Sequence, residues 1–574
     1  MAVNADLQIA LQQAEALAGR RQFAEAEVQY RRARVLDPRD LRAALGHGHV
    51  LLILGRAAEA RDVFAAATAI KPDLADAFHG LAMACYEMSD IAAAENAYRT
   101  VLKLEPRSLA AMVGLADVFN RQRRADEALA LLAPVGDLNA NAGAAVEQTR
   151  GTARLIKADA ITALAHFERA LAMAPGFSKA AHSRAVALEQ LGREEDALSA
   201  YRKTVADTPS NLGAHQGLNQ LLYRLKRDSE FLRSYDEAAG LLPNVPHFAI
   251  AKAEFLSRVG KAAEAASLYD RALAIAPGHP IALQGKAGVL LKLGQADAAI
   301  DLFQHVLKHA PDDVTILTSL ATAYLMTRDA AKAEAVATDA LKRDPTDQVG
   351  LAALGTALRL RGDEREQALN RYDEFVQVID LEPPSGYADM ASFNQELNAW
   401  LDSQHSDARE PIDQSLRGGT QTQGDIFSTG HRLINALQAR MAEAVNRFIA
   451  GLPRDDRHPF LNRRTGGFAF AGSWSSRLCD QGFHTNHLHP GGWISSAYYV
   501  SLPAVVAETD RNEGWLQFGA PSYDIGLAKP VRRAVQPQPG RLVLFPSYMW
   551  HGTVPFRAPQ NRTTIAFDVV PHRS

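Results

Sequence analysis

Apolar positions along the first 360 residues recur at one interval. Small residues stand at Ala26, Ala60, Ala94, Ala163, Ala197, Ala265, Ala299 and Ala333. Aromatic residues follow four places beyond that phase, at Tyr30, Phe64, Tyr98, Phe167, Tyr201, Tyr235, Tyr269 and Phe303. Prolines close the periods at Pro38, Pro72, Pro106, Pro175, Pro209, Pro243, Pro277, Pro311 and Pro345, nearly all 34 residues apart. The step of 69 from Pro106 to Pro175 is two periods plus one inserted residue, and Ala128 keeps the phase inside it. The pattern predicts a helical hairpin per period. The alanine admits close helix approach, the aromatic fills the same face, and proline cannot continue the helix. One hairpin cannot bury its own apolar face, so neighbouring hairpins must stack into a superhelix. Phe231 replaces the alanine in one period. Near 107–141 the repeat is expected to be degenerate, because Leu132 replaces the aromatic and no proline closes it.

Beyond residue 360 the periodicity changes. The stretch LRGDEREQALNRYDEFVQVIDLEPP reads as helical to Leu381, where a Glu-Pro-Pro-Ser-Gly run stops it. Helical periodicity returns over 391–403 and 428–451, with Leu433, Leu437, Met441 and Val445 on one face. After Gly466 the chain breaks into short β runs bounded by Gly and Pro: GGFAFAGSWSSRL, WISSAYYVSLP, GWLQFGAP, GRLVLFPS and RTTIAFDVVP. Such runs predict an antiparallel sandwich or barrel with a helical layer on it. The expected organisation is multidomain: a solenoid over 1–360, a helical connector over 361–404 and a β domain over 405–574.

Composition narrows the functional classes. Lys and Arg number 62 against 65 Asp and Glu, a net charge of −3, so no global field recruits nucleic acid or an anionic membrane. Cys85 and Cys479 stand far apart, which excludes a disulfide framework and a thiolate zinc site and favours a reducing, cytoplasmic compartment. The first residues interrupt their apolar positions with Asn, Asp, Gln and Glu, unlike a secretory signal, and no later run is apolar enough for a membrane span.

Candidate chemistry gathers near the C-terminus. GFHTNHLHPGG holds His484, His487 and His489, and FPSYMWHGTVPF holds His551. On a strand, residues two apart share a face, so His487 and His489 would point together, with His551 able to close a three-point metal face. Arg562 opens an apolar β run eleven residues after His551, and a guanidinium aimed into a small barrel would capture a carboxylate bidentately, with Thr564, of like parity, adding a hydroxyl. Lone histidines such as His47, His79, His166 and His215 read as surface or satisfied interior groups, the repeat aromatics as core. Trp493, Trp515 and Trp550 read as core residues or as the rim of a pocket.

The 34-residue order of alanine, aromatic and proline resembles the tetratricopeptide repeat, about ten of them over residues 5–360. That resemblance implies an all-α solenoid whose concave surface holds a protein or peptide. The His-x-His pair, the distal His551 and Arg562 about ten residues later resemble the double-stranded β-helix, a jelly roll, of iron(II)- and 2-oxoglutarate-dependent oxygenases, over roughly 412–571. Within that superfamily SLRGGTQTQGDIF, HLHPGGWISSAYYVSLP and GRLVLFPSYMWHGTVPF resemble a bacterial branch often found behind such repeats. The resemblance implies Fe(II) on His487 and His551, 2-oxoglutarate anchored at its remote carboxylate by Arg562 with Tyr499 beside it, and oxidative decarboxylation to succinate coupled to hydroxylation. Where the common motif puts Asp or Glu, this chain has His489. A three-histidine face, water in the third place, Asp568 or Glu513 reaching in, and a shifted register through His484 and Asn486 all stay open. A cupin-type metalloenzyme and a catalytically silent scaffold are the competing functional classes. Tyr548 and the lack of a Glu after His489 depart from the cupin pattern, and the missing carboxylate is the argument for a scaffold.

Overall fold

The computed structural model describes residues 2–572 apart from 137, 139, 406–411, 413 and 509. The chain divides into two compact units, Met1–Leu218 and Asn219–Ser574.

The first unit is built of helices paired across short turns, from Ala2–Gly19 with Phe23–Leu36 through Ser178–Gln190 with Glu194–Asp207. Ala26, Ala60, Ala94, Ala163 and Ala197 are fully buried. Tyr30, Phe64, Tyr98 and Tyr201 each press on a glycine of the next hairpin, while Phe167 meets Gly151 within its own. A Cβ on Gly46 would fall 2.4 Å from the Tyr30 ring, one on Gly80 2.3 Å from Phe64 and one on Gly114 2.4 Å from Tyr98. The stacking interval is therefore a large residue fitted against the absence of one. Asp40, Asp90 and Asp159 start their helices by accepting the amide three residues on. His47 and His166 meet Glu27 at 3.4 Å and Glu147 at 2.9 Å and are satisfied interior groups.

Each hairpin turn holds one residue in the left-handed region, at φ between 57° and 82°: Arg21, Gly55, Ser89, Arg123, Ala158, Gly192, Lys226, Gly260, Gly294, Arg328 and Gly362. These are 34 apart except for the 35 between Arg123 and Ala158, which locates the inserted residue. In that stretch a short helix, Ala125–Leu132, is followed by a long one, Ala140–Ile156.

In the second unit the hairpins continue through Gln348–Leu360. Phe231 is too large for the alanine position, so it packs edge-on to Phe255 at 6.0 Å, and the helix it should belong to starts late, at Arg233–Leu241. Among the described residues nine strands follow: β1 Gln377–Asp380, β2 Leu416–Gln421, β3 Gly467–His484, β4 Ile494–Ser501, β5 Leu516–Phe518, β6 Arg533–Val535, β7 Arg541–Pro546, β8 His551–Thr553 and β9 Arg562–His572. They form two antiparallel sheets, β1-β7-β4-β9-β3-β2 and β6-β5-β8. The expected helix running to Leu381 ends instead at Phe375. Val378 and Ile379 belong to β1, an edge strand on β7, where β-branched residues fit a pleated surface. Helices Met390–Gln404 and Arg432–Gly451 provide the helical layer, burying Leu397, Leu433, Leu437, Met441 and Val445 in one core with Tyr498, Leu542 and Leu544.

The last hairpins are fastened to the β region. Arg359 donates to the carbonyls of Gly519 and Pro530, each at 2.8 Å, and to that of Lys529. Ile525, 3% exposed, sits in the repeat core beside Leu290, Phe303 and Leu320. Among the described residues no helix is long and apolar enough to cross a membrane.

Candidate metal centre

Three histidines meet where β3, β4 and β8 converge. His487 and His489 are not on a strand, contrary to the parity expected of them. β3 ends at His484, β4 begins at Ile494, and Pro490, Gly491 and Gly492 interrupt the ladder between. Backbone pairing aims the rings instead. His487 N–H donates to the His551 carbonyl at 2.8 Å and His551 N–H returns the bond at 3.0 Å, while His489 N–H donates to Ser547 at 3.0 Å. Gly552 makes the approach possible, since a Cβ there would lie 3.0 Å from the His484 carbonyl oxygen and 2.4 Å from Asn486 Oδ1. The ring centres stand 4.2 Å (His487–His551), 5.1 Å (His487–His489) and 5.0 Å (His489–His551) apart. One nitrogen of each lies within 4.8 Å of the other two.

The outer nitrogens set the tautomers. Nδ1 of His487 is 2.8 Å from the Thr485 carbonyl, Nδ1 of His551 is 2.9 Å from that of Met549, and Nδ1 of His489 is 2.6 Å from Asp568 Oδ1. Each contact takes an N–H from Nδ1 and leaves Nε2 the unprotonated nitrogen available to a metal, that of His487 lying 3.3 Å from Ser415 Oγ. Burial pushes the His487 imidazole down to about 3 and holds His551 and His484 well below the ordinary histidine range, so these rings are neutral, as metal binding requires. His484, the shifted-register alternative, turns its Nδ1 to Ser415 Oγ at 2.9 Å, and Asn486 Oδ1 accepts from Gln517 at 3.0 Å. Asp568 backs His489 from behind, and Glu513 accepts the Arg557 amide at 2.9 Å outside the cluster.

The rings open on a cavity of about 400 Å³ that Arg562, Thr564, Ser476 and Trp474 also line. Arg562 is 2% exposed and donates from Nε to the Gly514 carbonyl at 3.2 Å. Among the described residues no carboxylate lies within ion-pairing distance of it, and burial lowers its affinity for the proton. Tyr499 does not line the cavity. It stands fully buried behind Arg562, whose guanidinium carbon is 5.1 Å from its ring centre, and burial pushes its phenol up to about 12 against the opposing pull of Arg562. Thr564 Oγ1 is 3.4 Å from the Ser476 carbonyl. Ser476 and Trp474 escaped the sequence reading because no motif marks them. The Ser476 hydroxyl is buried and unpartnered, and Trp474 flanks His489 at 5.6 Å. Trp493 and Trp515 donate their indole N–H to the carbonyls of Phe460 and Val506, and neither they nor Trp550 lines the cavity.

Neutral imidazoles suit iron, zinc, copper and nickel alike, so the donor set fits a divalent ion without selecting it. The neighbouring buried cation, with the unpartnered Ser476 hydroxyl lining the same cavity, fits an anionic group.

Comparison with known proteins agrees with this division. Residues 472–568 match a family described as "Putative 2OG-Fe(II) oxygenase". Residues 11–75, 79–133, 157–211, 258–313 and 290–358 match tetratricopeptide repeat families. The N-terminal region thus carries tetratricopeptide repeats and the C-terminal region a domain of that oxygenase family. Solved structures similar to the chain include the APC/C hetero-tetramer Cut9-Hcn1, at 15% identity over 61% of this chain and 76% of that one, TM-score 0.32. Yeast Tom70 is similar at 15% identity over 63% and 97%, TM-score 0.33. The TPR domain of P58(IPK) is similar at 20% identity over 62% and 98%, TM-score 0.22. No curated protein matches the chain.

Proposed function

We propose that the protein is an iron(II)- and 2-oxoglutarate-dependent dioxygenase, acting in the cytoplasm, that hydroxylates a protein or peptide gathered by its repeats. Arg562 carries this reading. A buried guanidinium without a carboxylate costs several kcal/mol, on the order usual for an unpaired buried ion, unless a ligand's anion meets it. Here it faces the same cavity as three convergent imidazoles. A dicarboxylate that reaches a metal with one end and a guanidinium with the other answers both features. The paired antiparallel sheets support a double-stranded β-helix as the frame.

His487, His489 and His551 would hold iron(II) through Nε2. Arg562 would hold the remote carboxylate of 2-oxoglutarate with the Thr564 hydroxyl as a further donor, while Tyr499, outside the cavity lining, would back the guanidinium rather than touch the cosubstrate. Iron(II) and 2-oxoglutarate, when bound, would supply, with dioxygen as co-reactant, oxidative decarboxylation to succinate and carbon dioxide coupled to hydroxylation of a C–H bond, one atom of dioxygen entering succinate and the other the product. The chain's own residues do the rest. Carbonyls of Thr485 and Met549 and the Asp568 carboxylate fix the tautomers. Trp474 walls the cavity beside His489. Tethering a partner-binding array to the site raises local substrate concentration, so recognition need not be built into the small β domain.

Succinate release tests the proposal. Purified protein with iron(II) and 2-oxoglutarate should form succinate, His551→Ala should not, and a captured substrate should gain about 16 Da, one inserted oxygen. Wild-type protein that loads iron but yields no succinate with any captured partner would leave the cupin-type metalloenzyme and the scaffold as the surviving readings.

A further inference from the structure

The His-x-His motif lacks the anion that the commoner carboxylate ligand would bring to iron, and the hydrogen bonds around Asp568 point to its replacement. Resting on the iron-site reading above, we propose that Asp568 is a positioning residue that supplies the missing negative charge through His489 without binding the metal.

Of the three imidazoles, two are backed by neutral carbonyls and one by a carboxylate. Asp568 Oδ1 takes the His489 Nδ1–H at 2.6 Å and also the Ser495 hydroxyl at 2.7 Å. Ser495 in turn lies 2.8 Å from Ser547 Oγ, and both serines are fully buried. The Ser495 hydroxyl thus steadies the same carboxylate oxygen that faces His489. Gly492 leaves room for the arrangement, since a Cβ there would fall 2.3 Å from Ser547 Oγ and 3.5 Å from Asp568 Cγ. Among the described residues no Lys or Arg pairs with Asp568, so its charge is not spent elsewhere, and His489 is its only ionic partner.

The strand supplies the geometry. Alternate residues of β9 share a face, and Arg562, Thr564, Ala566 and Asp568 all line the cavity. One strand face therefore presents a cation where the cosubstrate's far end would lie and an anion behind a metal ligand. A carboxylate accepting a ligand's outer N–H makes the imidazole a stronger donor and fixes its plane. Three neutral ligands plus one carboxylate a hydrogen bond away carry the same formal charge as two histidines and a bound carboxylate.

Cobalt(II) titration of the full chain, read by bound metal and by the ligand-field spectrum, tests this independently of turnover. Asp568→Asn should keep one cobalt per chain and an unchanged coordination number, with binding weakened about 10- to 100-fold, the usual effect of losing an outer-shell partner. His489→Ala should weaken it further and alter the spectrum. Asp568→Asn with wild-type affinity would overturn the proposal. So would His489→Ala with wild-type affinity beside an Asp568→Asn chain that loses a ligand, because Asp568 would then be the ligand itself. Should Asp568→Asn fail to fold, Ser495→Ala, which keeps the charge but loosens it, should still weaken cobalt binding, and an unchanged affinity there is equally fatal. Failure of the underlying metal site looks different: wild type and His551→Ala would then bind cobalt alike or not at all.

Discussion

Replacing Arg562 with methionine should separate stability from binding. The guanidinium is 2% exposed, faces no carboxylate among the described residues, donates to the Gly514 carbonyl at 3.2 Å and lies against the Tyr499 phenol. Methionine removes a desolvated cation, a change that is neutral or stabilising by about 1–4 kcal/mol in comparable buried sites. Against this stands the lost hydrogen bond, about 1 kcal/mol. The ligand-free variant should therefore melt no lower than wild type. Binding moves the other way. Losing one partner of a buried, charge-assisted pair costs about 2–5 kcal/mol. At about 1.4 kcal/mol per tenfold, the 2-oxoglutarate Kd should rise from about 30-fold to a few thousand-fold. Thermal melts with manganese(II), with and without 2-oxoglutarate, read both quantities. A ligand concentration of about 100 wild-type Kd stabilises wild type by about 2.7 kcal/mol, and at that concentration the variant should gain less than about 1 kcal/mol. A variant that melts lower yet keeps the wild-type 2-oxoglutarate shift would make Arg562 a structural strut and refute the anion-anchor reasoning.

Other consequences can be measured on the same protein. His405, hydrogen-bonded to Thr420 at 2.9 Å and Ser475 at 3.1 Å, is held down to about 4 by burial, with Arg477 adding to the effect. Its folded pKa lies below its unfolded one, so its stabilising contribution is complete above about pH 6.5 and is lost as acid protonates the unfolded chain first. His405→Gln should shrink the stability difference between pH 7 and pH 5 by about 1–2 kcal/mol in denaturant melts. Ala158 sits at φ 57° in a hairpin turn where Gly192 serves the next. Ala158→Gly should stabilise the repeats by about 1 kcal/mol, the cost of a left-handed non-glycine residue, and an unchanged midpoint would contradict the strain. Gly114→Ala drives a Cβ against the Tyr98 ring and should cost about 1–3 kcal/mol, as overpacking does. Equal stability would mean the ring can move aside.

Much of the solenoid was legible in the sequence because its spacing rule is local and repeated: Ala60, Phe64 and Pro72 return in nearly every period. The complementary glycines at 46, 80 and 114 carry the same interval, but only a second hairpin reveals what fills them. β1 read as helix because residues 371–380 lack a breaker, and pairing with β7 overrides local propensity. β2, β6 and β8 are three to six residues long, too short for a period to register. At the site, His487, His489, His551 and Arg562 stood out as residue types, and the structure brings them to one cavity. Strand parity was the wrong reason for the first two, since a backbone bridge to His551 does the aiming. Asp568 was visible as a possible ligand, and only coordinates show that it faces His489 Nδ1. Ser476 and Trp474 enter through sheet register, which the sequence does not print.

The most direct measurement is anomalous diffraction from crystals grown anaerobically with manganese(II) and 2-oxoglutarate. One metal peak should bond Nε2 of His487, His489 and His551, with the cosubstrate's free carboxylate on Arg562. A peak elsewhere, or a cosubstrate that leaves Arg562 untouched, would contradict the account.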